Sequence, residues 1–270
     1  MKRKRINGYL LAGLIITGAL LLMTLVGAFY TPFDPTAMSG AEKFMPPSAA
    51  HLFGTDNFGR DIFSRVLKGS GTTMAIALAT VAIGAAVGTL VGAVTGYFGG
   101  LVDDVLMRLN DALTAFPSIL LALLIISLVG PGKYNVVLAL GIVFIPSFAR
   151  VMRTQFASLR DVNYITSARL MGAGRLRIML VHMLPNTMRT LLPALTIGFN
   201  NAVLAEASMS FLGIGVTPPD ASLGNMLRDA QSALGRAPWY AILTGAMIAL
   251  LVFGVGLIGE GLQQRDREVD

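Results

Sequence analysis

The chain has 270 residues, of which 54% are hydrophobic and only 13% charged. Water-soluble domains carry about 25% charge, so this balance excludes one. The net charge is +6 and cysteine is absent, which excludes disulfide and thiol chemistry; the basic residues sit beside apolar runs, as topology signals do, and do not form a nucleic-acid surface.

A spanning helix needs ~20 mostly apolar residues to cross ~30 Å of hydrocarbon, and such runs recur along the chain. Alternating strands are missing, so a β-barrel is not expected. The expected class is an all-α, polytopic membrane protein. Lys2-Arg3-Lys4-Arg5 precedes an apolar run over about 9–29. That run exceeds the ~7–15 residues of a secretory signal core and reads as an uncleaved first span. Further spans are expected at about 73–97, 104–129, 135–152, 190–212 and 238–262, six transmembrane helices in all. The domain reading is 1–72 for the first span and an outer loop, 73–262 for a transmembrane domain with an inner loop at 153–189, and 263–270 for a tail.

A cytoplasmic amino terminus places the loops at 30–72, 130–134 and 213–237 outside. The loops at 98–103 and 153–189, and both termini, then lie inside. Residues 150–189 carry Arg150, Arg153, Arg160, Arg169, Arg175, Arg177 and Arg189 against one acid, Asp161. In the 30–72 loop, Lys43, Arg60, Arg65 and Lys68 are balanced by Asp34, Glu42, Asp56 and Asp61. The cationic excess thus falls on the proposed inner side, as the positive-inside rule requires.

In span two, Gly84, Gly88, Gly92 and Gly96 repeat every four residues and form one stripe suited to close helix approach. Gly254, Gly256, Gly259 and Gly261 in span six are less regular and imply less. Pro117 and Pro146 are expected to kink spans three and four. Asp103, Asp104 and Asp111 sit near the start of span three, where a helix dipole favours acids. Span five is the least apolar. At ~100° per residue, Ala202, Glu206 and Ser210 share one stripe, with Asn201, Ala205 and Ser208 on the next. Asn201, Glu206 and Ser210 are the candidates for lining a pathway; an internal packing hydrogen bond is the alternative for Glu206.

No catalytic residues, cofactors or metal site are expected. Gly132-Lys133 lacks the rest of a phosphate-binding loop, and His51 and His182 fall on opposite membrane faces. A chain with spans and a polar path but no energy source needs an external motor. The 164–186 segment suits its attachment: basic and amphipathic, with a helix carrying Ser167 and Ala168, a break at Gly172-Ala173-Gly174, and a second helix expected to end at Leu184-Pro185-Asn186.

These residues carry a resemblance. Gly54-Thr-Asp-Asn-Phe-Gly-Arg-Asp61 with Ser64-Arg65, Gly96-Tyr-Phe-Gly-Gly100 with Asp103 and Met107-Arg108, and Ala115-Phe-Pro-Ser118 are one group of motifs. Ala205-Glu-Ala-Ser208, Ser210-Phe-Leu-Gly213, Pro218-Pro219 and Gly224-Asn-Met226 are the other. Over about residues 30–262 the chain resembles the second inner-membrane permease of the dipeptide/oligopeptide/nickel importers of the ATP-binding cassette class. The resemblance implies a type I importer permease (MetI-like) architecture in a bacterial inner membrane. It implies a heterodimer with a paralogous permease, two cytoplasmic ATPase subunits and an extracytoplasmic solute-binding protein, with the lipid bilayer but no nucleic acid as further partner. Short peptides are the implied cargo, with nickel or a metal chelate as the alternative; a stand-alone channel or ion-coupled carrier is the reading from another class. ATPase coupling is carried over to Thr166, Ser167, Ala168, Gly172, Ala173, His182, Pro185 and Asn186. Thr166 stands where the family usually has glutamate, and Gly71 where it usually has arginine.

Overall fold

Asp61 sets the start of the longest helix. Its carboxylate accepts from the backbone N–H of Ser64 at 2.7 Å, satisfying one of the donors a helix start leaves open. The computed structural model describes the backbone of residues 7–267 and the side chains of 7–264. The Lys2–Arg5 cluster and residues 268–270 of the expected tail lie outside the described backbone, while 263–267 continue the last helix. Among the described residues everything ordered is helical, apart from an isolated bridge between Thr55 and Asp61.

In chain order the elements are α1 (Gly8–Phe29), a short 3-10 turn (Gly40–Glu42), α2 (Ile62–Phe98), α3 (Gly100–Thr114), α4 (Ser118–Val129) and α5 (Lys133–Leu159). Then come α6 (Asn163–Leu170), a single turn α7 (Arg175–Arg177), a π-helix (Ile178–Met183), α8 (Leu184–Phe211), α9 (Leu223–Gln231) and α10 (Pro238–Arg267).

Four helices, α1, α2, α5 and α10, are long and apolar enough to cross a bilayer alone, and the bent α3–α4 pair is so when its two helices are taken together. The 28-residue α8 is long enough but falls outside that set because it carries Arg189, Asn200, Asn201 and Glu206. The six-span count therefore rests on α8.

Glycine sets the helix pairing. A Cβ on Gly84 would sit 2.8 Å from the Cβ of Phe144, one on Gly88 2.6 Å from that of Phe148, one on Gly92 2.8 Å from that of Met152, and one on Gly96 2.7 Å from that of Phe156. Each step of four along α2 matches a step of four along α5, so the two run parallel and in register. Parallel neighbours require the intervening chain to cross back, which α3 and α4 together do. Gly13 against Ile258, and Gly261 against Leu10, pair α1 antiparallel to α10. Gly256 lies against Asn200 and Gly259 against Thr196, which pairs the other side of α10 with α8. The irregular spacing in span six thus serves two faces, which is why no single stripe shows in the sequence.

The span expected at 104–129, with a kink at Pro117, is instead broken into two helices. α3 and α4 meet at 87°. Pro117 has no N–H to donate and biases Phe116 away from helix, so α3 ends ahead of it. α4 has 12 residues and rises about 18 Å at ~1.5 Å per residue, too short to cross alone. α3 is held against α5 by polar contacts. Arg153 donates to both oxygens of Asp103 at 2.5 Å each, Arg150 meets Asp111 at 3.1 Å, and the buried Asn110 amide reaches the Pro146 carbonyl at 3.5 Å. Pro146 lies inside an unbroken α5.

Candidate functional site: the coupling segment and the cleft above it

Helix pairing puts the α6–α7 segment at the same end of the bundle as the start of α1 and the end of α10, where Asn7 and Gln264 are hydrogen bonded. α6 is closed by a double hydrogen-bond cap. The Gly172 N–H bonds to the Arg169 carbonyl at 3.1 Å and the Ala173 N–H to that of Ala168 at 3.0 Å. Gly172 has φ +84°, the left-handed conformation this cap needs and glycine adopts without steric cost.

The segment's other end departs from expectation. Leu184-Pro185-Asn186 does not end a helix; the chain continues helically from Arg175 to Phe211. Pro185 cannot donate to an α-helical acceptor four residues back. The preceding turn widens to π geometry, and the Leu184 N–H bonds to the Met179 carbonyl five residues back. Asn186 closes the gap: its Nδ2 donates to the His182 carbonyl at 2.6 Å and to the Tyr164 hydroxyl at 3.1 Å. The second contact ties α6 directly to the base of α8.

The expected coupling residues divide by exposure. Thr166, Ser167, Gly172, Pro185 and Asn186 are exposed, Ala173 and His182 are half-buried, and Ala168 is buried inside the chain. Ser167 is thus the one small side chain of that pair on the surface. The exposed apolar residues were not picked out by the sequence reading. Leu170 and Met171 are 84% and 82% exposed and Leu176 73%, beside Arg169, Arg175 and Arg177. Their signal was available, since three large apolar side chains interrupt a basic run outside the expected spans.

Above this segment α8 separates its two polar stripes. Glu206 and Ser210 point into the chain's own interior and are fully buried. The Ser210 hydroxyl donates to Glu206 Oε1 at 2.7 Å and accepts from the Val216 N–H at 3.0 Å. The Thr73 and Ser222 hydroxyls also lie beside the carboxylate. This cluster pins α8 to α2 and to the start of α9. Asn201 is exposed and lines a cleft of about 400 Å³ with Ser118, Ser147, Ala205 and Ser208. The cleft lies between α4, α5 and α8, and the bend at Pro117 brings the first turn of α4 to its wall. Asn201, Ala205 and Ser208 therefore face the opening, whereas Ala202, Glu206 and Ser210 do not.

At the opposite end, the Gly54–Asp61 motif folds around charge. Buried Asp56 accepts from the backbone N–H groups of Phe58 (2.8 Å) and Arg60 (3.0 Å) and pairs with the Arg60 side chain at 2.6 Å and Arg65 at 3.7 Å. Both arginines reach Asp229 of α9, at 3.2 and 3.9 Å. Burial pushes the Asp229 carboxyl above its ordinary value, and the two arginines only partly offset this. His51 meets Asp61 at 2.9 Å. Of the balanced loop charges, Arg60 and Arg65 are thus paired in space with Asp56, and through Asp229 they hold α9 onto α2.

These features define an all-α membrane permease with a lateral polar cleft and a basic, apolar-tipped segment at one end. The chain belongs to the family of binding-protein-dependent transport system inner membrane components, which it matches over residues 88–267. It is thus the permease component of an importer and not its catalytic subunit. The dipeptide transport system permease protein DppC of Haemophilus influenzae is 36% identical over 94% of this chain and 88% of its own length. The di/tripeptide transport system permease protein DppC of Pseudomonas aeruginosa is 37% identical over 94% and 86%, and a putative peptide transport system permease of Brucella suis 40% identical over 93% and 84%. In fold the chain is similar to the inward-facing MetNI methionine ABC transporter, with TM-score 0.59 at 19% identity over 74% of this chain and 94% of that one.

Proposed function

We propose that this chain forms half of the translocation pathway of an ATP-driven importer of short peptides. A paralogous permease completes the pathway across the α4–α5–α8 cleft, and a solute-binding protein delivers cargo to the face bearing the Asp56–Arg65–Asp229 cluster. One of two ATPase subunits docks on the α6–α7 segment, which then faces the cytoplasm along with both termini. Three relatives named for peptide or dipeptide transport, each matching over nine-tenths of this chain, support the cargo reading.

The observation that carries the coupling reading is helical continuity. α6 is tied through Tyr164–Asn186 to a helix that runs from Arg175 to the cleft-lining Asn201 without a break in helical backbone. A docked ATPase that shifts α6 therefore moves the wall of the cleft. Exposed Leu170 and Met171 supply the apolar anchor, and the arginines supply steering toward acidic partner residues. Inverting a two-state access equilibrium from 1:99 to 99:1 takes about 5.5 kcal/mol, which a rigid path can transmit and a loose loop cannot.

The test is uptake of labelled dipeptides by a deletion strain complemented with the wild-type gene or with Leu170→Ser/Met171→Ser. Wild type restores uptake and the double variant does not, while still inserting into the membrane. Restored nickel uptake without dipeptide uptake would reassign the cargo; full dipeptide uptake by the double variant would remove the anchor.

A further inference from the structure

A second opening has no part in the mechanism above. It is a groove of about 600 Å³ between the end of α1, the first half of α2 and the start of α5. Its floor is apolar, and Ala75 and Ala79 keep it open. Gly71 also lies on the groove, and a Cβ there would meet only the Thr24 methyl, at 3.2 Å.

The groove is charged at one end only. Lys68 and Lys133 stand at its rim with Tyr134 beside them, the Lys133 ammonium 5.5 Å from the Tyr134 ring centre. Asp220 neutralises Lys133 at 2.9 Å. Among the described residues no carboxylate pairs with Lys68, whose ammonium reaches only the Ala28 carbonyl, at 3.4 Å. The rim therefore holds one unmatched cation, exposed, at the membrane end remote from the coupling segment.

Length agrees with chemistry. Along α2 the groove runs from residue 67 to residue 79, about 18 Å at ~1.5 Å per residue, close to the ~15 Å hydrocarbon depth of one leaflet. A cation and a tyrosine at headgroup level over an apolar channel one leaflet deep match the shape of a phospholipid.

We propose that this groove holds one anionic phospholipid of the leaflet opposite the coupling segment, with its phosphate on Lys68 and an acyl chain along Gly71, Ala75 and Ala79. The lipid then fills the space between α1 and the start of α5, beside the contact in which Gly27 of α1 packs on Leu67 of α2.

The test uses the intact transporter assembly in nanodiscs of phosphatidylcholine and phosphatidylglycerol, followed by mild detergent extraction and quantification of retained lipid by native mass spectrometry. Wild type retains phosphatidylglycerol in preference to phosphatidylcholine. Lys68→Glu lowers retained phosphatidylglycerol more than about fivefold, since it removes one surface lysine's contribution and adds a repelling carboxylate, and Lys68→Arg preserves it. Ala75→Trp fills the channel and removes retained lipid of both kinds. Equal retention of the two lipids by wild type, or unchanged retention in Lys68→Glu, overturns the proposal. So does a photo-crosslink to the partner permease from a photoactivatable maleimide placed on Ala75→Cys, which would show a protein helix in the groove.

Discussion

Replacing Gly88 by alanine tests the α2–α5 pairing. The new methyl would lie 2.6 Å from Phe148 Cβ, 2.7 Å from the Ile145 carbonyl oxygen and 2.9 Å from the Ala149 nitrogen. Ordinary carbon contacts are about 3.5–4.0 Å, so the helices must part by roughly 1 Å. Two of the three neighbours are backbone and cannot swing away. Overpacking of this kind costs about 1–3 kcal/mol. At about 2–4 °C per kcal/mol for a chain of this size, the midpoint of thermal unfolding in detergent falls by roughly 2–12 °C. Gly18→Ala and Gly245→Ala are the controls. Both sit in helices and a Cβ at either meets nothing within 4 Å, so neither lowers the midpoint. A Gly88→Ala protein as stable as wild type would refute the register of the helix pair.

Other substitutions separate structure from transport. Glu206→Gln keeps a group that accepts from Ser210, so it retains uptake and stability, whereas Glu206→Ala removes the acceptor of the buried Ser210 hydroxyl and costs about 1–3 kcal/mol in unfolding assays. Asn201→Phe fills the cleft, abolishing uptake while leaving the unfolding midpoint within about 2 °C of wild type. Asp56→Asn leaves two buried arginines short of charge and costs about 3–5 kcal/mol, read as faster proteolysis of the 30–61 loop. Asp229→Asn costs less than half as much by the same proteolysis measurement, because Asp229 is a third exposed and its burial already works against its charged form.

Much of this architecture was legible because membrane insertion leaves few choices for the backbone. The glycine period of four on α2 pointed to one close-packed face, and Phe144, Phe148, Met152 and Phe156 lie on it. Gly172 was legible as a turn because a left-handed helix cap favours that residue. The rest depended on facts that sequence does not carry. Pro117 signals a break but not an 87° bend. Leu184-Pro185-Asn186 has the look of a helix end, and only the π turn and the Asn186 side chain let the helix continue. Adjacent stripes on α8 are both polar, and their roles follow from which neighbours they face. Asp229 lies 169 residues beyond Arg60, so their pairing had no local signal.

Crosslinking from Met171 tests the coupling reading most directly. Met171→Cys is expressed with the intact assembly in inverted membrane vesicles and treated with a short bifunctional reagent. The expected product joins this chain to an ATPase subunit, and its yield changes when ATP is trapped. A cysteine at 171 that reacts only from the opposite membrane face, or that crosslinks to no protein while the vesicles transport peptide, would contradict the lever.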